Sequence, residues 1–154
     1  MLLKGSCHCR AVRFSLRSET PYPYMWCYCS ICRKTAGGGG YAINIMGRKE
    51  TLKVSGEKSL SVYRARPSSG QRFFCRKCGS ALWVWDRRWP EWVYPFASAI
   101  DTKLPVPAEH QYIFLASKAN WSQVPKKRKG DLRFREYPGE ASIDWHRKRG
   151  LLAA

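Results

Sequence analysis

A mainly β, single-domain fold is predicted by three features of the sequence. Apolar residues alternate with polar ones over short stretches, and helical periodicity is weak. Pro and Gly punctuate the intervals between those stretches. The 154 residues, 44% hydrophobic and 14% aromatic, suffice for one core and argue against a disordered chain.

Taken in chain order, Val12, Phe14 and Leu16 alternate with Arg13 and Ser15 and predict a strand. Residues 29–36 suit one short helical turn. Tyr41, Ile43 and Ile45 form a second alternating set. Leu52 with Val54 and Leu60 with Val62 predict two strands about the turn-forming Ser55-Gly56. Phe73-Phe74, Ala81–Trp85, Val93–Ala99 and Tyr112–Ala116 complete the strands. Gly37–Gly40 lacks a following G-K-[ST], so it is no phosphate loop and reads as a close backbone approach. Trp83, Trp85, Trp89 and Trp92 fill a core and its rim, while Trp26 and Trp89 are candidates to stack on a substrate. The body is expected to span residues 1–125. Residues 126–154 read as a basic C-terminal extension of lower order, docked by Tyr137 and Trp145.

No run of about 18 uncharged apolar residues is present, so no membrane span is expected. The opening MLLKGSCHCR has too short an apolar stretch for the core of a signal peptide. A cytoplasmic protein is therefore expected, and in that reducing setting clustered cysteines read as metal ligands rather than disulfides. Net charge is +17; residues 126–149 carry nine Lys/Arg against four Asp/Glu, and Lys126-Lys127-Arg128-Lys129 is the densest run. A solvated basic surface accounts for this. Nucleic acid is a possible partner of that surface but is not favoured, since no DNA- or RNA-binding motif accompanies the charge. Oligomeric state is not legible.

The seven cysteines fall into three groups: Cys7 and Cys9; Cys27, Cys29 and Cys32; Cys75 and Cys78. Cys75-Arg-Lys-Cys78 is followed by Gly79, a turn that aims two sulfurs at one ion and then needs a positive φ. Such a pair supplies two of four tetrahedral ligands, and Cys7 with Cys9 can supply the others. Four thiolates at about 2.3 Å make a closed, structural zinc site. Cys27, Cys29 and Cys32 remain. Three protein ligands and one exchangeable position is the arrangement of catalytic zinc. A fourth ligand from His8, His110 or His146 stays open as an alternative. His8 is expected to point away from its flanking cysteines, His110 to satisfy a backbone carbonyl, and His146 to be solvated. Two zinc ions per chain follow from the four-plus-three division. Arg33, Lys34 and Lys118 are candidate contacts for an anionic thiol. There is no Ser-His-Asp set and no pair of carboxylates, so chemistry centred on metal is the catalytic expectation.

These residues resemble the glutathione-dependent formaldehyde-activating enzyme family, which also includes a centromere-associated protein. "GSCHCRAVRF" at 5–14 is similar to the family's GSCHCGAVRF, "CYCSICRKTAGG" at 27–38 to its CHCSxCRKxxG, and "FFCRKCGSALW" at 73–83 to its FCxxCGSxLW. "AIDTKLPVPAEHQYIFLASKANW" at 99–121 is similar to a family segment with an Asp, a Pro, a His and a final S-K-x-P-W. Arg10 stands where the family usually has glycine, Tyr28 where it commonly has histidine, and Asn120 where it commonly has proline. The resemblance implies a β-tent of small antiparallel sheets. It gives Cys7, Cys9, Cys75 and Cys78 to structural zinc and Cys27, Cys29 and Cys32 to catalytic zinc. It also implies a carbon–sulfur lyase-type activity, S-(hydroxymethyl)glutathione synthase-like, joining glutathione to formaldehyde. The alternative is a zinc-stabilised binding module that contacts nucleic acid or protein through its basic surface.

Overall fold

A computed structural model describes residues 1–154. Along the chain come β1 (Leu2–Ser6), β2 (Arg13–Arg17), β3 (Met25–Cys27), α1 (Ser30–Thr35), β4 (Ala42–Ile43), β5 (Gly47–Arg48) and β6 (Lys53–Ser55). These are followed by β7 (Leu60–Arg64), β8 (Gln71–Cys75), β9 (Ala81–Trp85), β10 (Trp92–Pro95), β11 (Gln111–Ile113), β12 (Leu132–Arg133) and α2 (Ser142–Lys148). The fold class is mainly β, as the alternating patterns predict.

Three small sheets result, with strand orders β1-β2-β6, β5-β10-β9-β8-β7 and β12-β11-β3-β4. The first two are antiparallel throughout. The third is mixed, because β11 runs parallel to both β3 and β12. Leu3, Val12, Phe14 and Leu16 from the first sheet meet Cys75, Leu82, Trp83 and Val93 from the second in the main core. Trp83 is its pivot, taking Phe14 edge-on and Phe73 face-on, each at 5.3 Å. Burying each such side chain contributes roughly 1.5–3 kcal/mol.

Two predicted strands end early. In the Val93–Ala99 run, β10 stops at Pro95, which has no N–H for a ladder, and Ala97–Ala99 form a 3₁₀ turn. In the Tyr112–Ala116 run, β11 stops at Ile113 because Phe114 takes φ +57°, and Leu115–Ser117 turn as a 3₁₀ helix.

The segment from residue 126 is not loose. Leu132 and Arg133 add a parallel edge to β11, and residues 134–136 accept backbone bonds from 114–116. On α2, Trp145 is buried, stacked on Tyr24 at 3.7 Å and covered by the Arg149 guanidinium. His146, expected in solvent, is fully buried, with Nδ1 2.8 Å from the Ser142 carbonyl. Of the two aromatics expected to dock the segment, Tyr137 instead projects outward, at 71% exposure. No helix is long and apolar enough to cross a membrane.

Candidate metal centres and active site

Two tight turns from different sheets bring together the first group of sulfurs. The β1–β2 connection carries Cys7 and Cys9, while Cys75 ends β8 and Cys78 lies in the turn from β8 to β9. All four sulfurs lie within 4.8 Å of one another. Cys7 and Cys9 are 3.6 Å apart, and Cys9 and Cys75 are 3.8 Å apart. A tetrahedron with bonds of about 2.3 Å has edges of about 3.8 Å, so the donor set has the size of a four-thiolate site. The two turns match locally. The residue after the second cysteine is left-handed in each, Arg10 at φ +59° and Gly79 at φ +75°. Backbone N–H of Val12 donates to Cys7 Sγ at 3.3 Å. A hydrogen bond with the Ser80 hydroxyl helps hold the Cys78 thiol below its ordinary range.

Cys27, Cys29 and Cys32 form the second group, again within 4.8 Å. Each is placed by a different piece of local structure. Cys27 closes β3, where it pairs with Ile113 on one side and Ala42 on the other. Cys29 is the N-cap of α1, and its sulfur accepts from the N–H of Cys32 at 3.3 Å. Cys32 sits in the first turn of α1 and is buried against Ala42 and Phe96. Hydrogen bonds from the Cys27 and Cys32 thiols, then from the Cys32 and Ile31 N–H groups, hold Cys29 well below the ordinary thiol range. No His, Asp or Glu atom joins either cluster. His8 is exposed, and His146, on α2, is buried against Tyr24. His110 stacks within an aromatic group and meets Asp131 and Arg128, rather than only a carbonyl.

Arg33 and Lys34 occupy the last turn of α1, where their charge complements the helix end. Lys34 is exposed, while the Arg33 Nε is buried without a partner. Lys118 is engaged elsewhere, donating to the carbonyls of Ala119 at 2.8 Å and Ser122 at 2.5 Å. That loop packs on the glycine run: Ser122 Oγ donates to the Gly39 carbonyl, and any side chain at Gly40 would strike Ser122. Trp26 stacks on Tyr41 at 4.3 Å and is thereby a packing residue; Trp89 remains 44% exposed under Arg88.

Two residues near the three-sulfur cluster escape sequence reasoning. Arg72 on β8 lies within electrostatic reach of Cys32, whose thiol is nonetheless held above its ordinary range, against the hydrogen bond with Cys27, by that with Cys29 and by burial. Tyr137 is carried in by the segment paired to 114–116, its ring edge-on to Phe114 at 4.6 Å. The Tyr137 phenol is raised by partial desolvation of its hydroxyl, although most of the residue's surface is exposed, and further by the nearby charges of Cys27, Cys29 and Cys32. Neither residue belongs to a local motif. Only the β8 register and the 114–116 pairing bring them to the sulfurs.

The fold and these clusters define a class: a small mainly β protein with two thiolate sites able to hold metal ions. The comparisons with known proteins are narrower. Residues 2–116 match the family model described as glutathione-dependent formaldehyde-activating enzyme. A Halomonas elongata protein named "Putative glutathione-dependent formaldehyde-activating enzyme" is 54% identical over 155 residues, covering 98% of each chain. The crystal structure of a Rhodobacter sphaeroides protein superposes with a TM-score of 0.55 at 29% identity, covering 66% of this chain and 91% of that one. The chain belongs to the glutathione-dependent formaldehyde-activating enzyme family.

Proposed function

We propose that the protein is a zinc-dependent enzyme that joins a low-molecular-weight thiol, glutathione first, to formaldehyde, and catalyses the reverse carbon–sulfur cleavage. The observation that carries this reading is the three-sulfur cluster beside a separate four-sulfur cluster. Four thiolates close a zinc site, whereas three leave a position for a substrate. Cys7, Cys9, Cys75 and Cys78 would hold the structural ion, and Cys27, Cys29 and Cys32 the catalytic one. Family membership and the name of the Halomonas relative supply the thiol and the aldehyde.

Cys27, Cys29 and Cys32 would hold the zinc, which would supply the positive charge that keeps a thiol ionised near neutral pH. The chain's own residues do the rest. The thiol sulfur attacks the aldehyde carbon, a C–S bond forms, and the C=O π electrons move to oxygen. The proton shed by the thiol must reach that oxygen. Tyr137, exposed and within electrostatic reach of the three sulfurs, would donate to it and be reprotonated from solvent. Arg33, Lys34 and Arg72 offer the cationic wall that suits glutathione's two carboxylates. Lys118 reaches a carboxylate only by releasing its two carbonyls, so its first role is to hold the loop 119–122. Residues 126–154 extend the 1–125 body and complete the site through Tyr137. A cytoplasmic setting suits the seven unpaired cysteines.

The test is exchange between ¹³C-formaldehyde, glutathione and their adduct, followed by NMR with zinc-loaded protein. Exchange faster than the spontaneous reaction, lost in Cys29→Ser, is expected. Binding of S-methylglutathione as tight as that of glutathione, with no rate enhancement, would sink the reading.

A further inference from the structure

Away from the three-sulfur cluster, the outward face of the β1-β2-β6 sheet gathers cations that the proposed reaction does not use. Strand alternation turns Leu3, Phe14, Leu16 and Val54 inward and leaves the intervening residues outside. In the resulting register Lys4 lies opposite Ser15, and Ser15 opposite Lys53. The next row is Ser6, Arg13, Ser55. Lys4 and Lys53 therefore stand two strand spacings apart, about 9.6 Å, with Arg13 one row along, about 7 Å. With Arg10 they line a groove of about 600 Å³.

Four cations face one acid there. That acid, Asp101, already accepts from Ser6 Oγ at 2.7 Å. None of Lys4, Arg10, Arg13 and Lys53 takes part in any ion pair of the molecule. Like charges gathered on one face repel, so the fold gains nothing from collecting them. Arg10 adds an independent observation. Its backbone is left-handed at φ +59°, in the place that Gly79 fills in the sister turn. A side chain is strained there where glycine would be free. The strain is tolerated at a position whose guanidinium lines the groove.

We propose that this groove is a binding site for phosphate-bearing polyanions, with Arg10 and Arg13 taking phosphate oxygens bidentately and Lys4 and Lys53 neutralising adjacent phosphates. Its volume lies in the range of small-molecule sites. Its one aromatic, Phe14, is buried, so no stacking platform is offered. Recognition is thus of phosphate rather than of base. A free oligophosphate and a nucleic-acid strand share that chemistry.

The experiment titrates the zinc-loaded full chain with inorganic tripolyphosphate and, separately, with a short single-stranded oligonucleotide, at about 50 mM salt. Arg13→Gln/Lys53→Gln is expected to weaken binding of the preferred anion by roughly tenfold or more. Arg10→Gly is expected to weaken it while leaving Tm unchanged or raised, since the substitution relieves the backbone. Replacing Lys126, Lys127, Arg128 and Lys129 by Gln should leave tripolyphosphate binding in place. Tighter binding of tripolyphosphate assigns the groove to a free ligand; tighter binding of the oligonucleotide, still lost in Arg13→Gln/Lys53→Gln, assigns it to a strand. Failure of both anions to bind, or binding unchanged in Arg13→Gln/Lys53→Gln, overturns the proposal.

Discussion

At Cys29 one sulfur both caps a helix and belongs to a cluster, and the two roles respond differently to mutation. Serine is a good N-cap, so Cys29→Ser keeps the start of α1 while removing one of three ligands. The expected outcome is loss of one metal ion and of turnover with only a small change in Tm. Cys78→Ser opens the cluster that ties two sheets together, and metal binding there is folding free energy. Its Tm is expected to fall by roughly 10 °C. Matched thermal melts with metal analysis decide between these; a larger loss for Cys29→Ser would mean the roles of the clusters are exchanged. Tyr137 belongs to the same scale. Its ring is exposed, so Tyr137→Phe leaves stability alone. If its hydroxyl moves the proton, kcat falls by about a hundredfold with KM nearly unchanged. Steady-state kinetics with glutathione reads that split.

Among the elements, α2 rewards the closest look. Trp145 is its anchor, and Trp145→Ala is expected to cost about 3–5 kcal/mol, measured by denaturant unfolding. His146 next to it is held neutral: burial lowers its pKa from 6.5, and the Arg149 charge adds to this against the Ser142 carbonyl. His110 is lowered in the same sense by burial and by Arg128. The unfolded chain therefore takes up protons first. Stability is full above about pH 6.5 and declines as pH falls below it toward the lowered native values. A shallower decline in His146→Gln, in melts from neutral to mildly acidic pH, is the expected signature. Which elements were legible follows from their length and context. β2, β7 and β9 have five residues each and an alternating or apolar run. Metal-ligand spacing made both cysteine clusters legible without any long-range information. β3 and β12, three and two residues long, carry no period to read, and neither does the seven-residue α2 in its run of charge. Their order comes from partners about 85 and 20 residues away in sequence, β11 for both strands, which no local pattern encodes.

The whole molecule is a set of small sheets with two sulfur clusters of unequal ligand number. One, of four sulfurs, bridges segments 66 residues apart; the other, of three, lies within six residues of sequence. With fewer ligands to hold it, an ion is expected to leave the three-sulfur cluster first. Chelator titration with a thiol reagent should show three cysteines reacting before the other four, with catalysis lost in the first phase and the fold in the second. The parallel seam of β11 with β3 and β12 has a different consequence. Its first strand carries Cys27, its middle strand leads into Phe114, and its last edge leads to Tyr137, beyond the stretch that the family model covers. The cysteines and Tyr137 are thus encoded in separable lengths of chain. Such an arrangement lends itself to grafting. A chimaera that takes residues 126–154 from another member of the family should inherit the donor's preference among aldehydes or thiols while keeping the recipient's metal content.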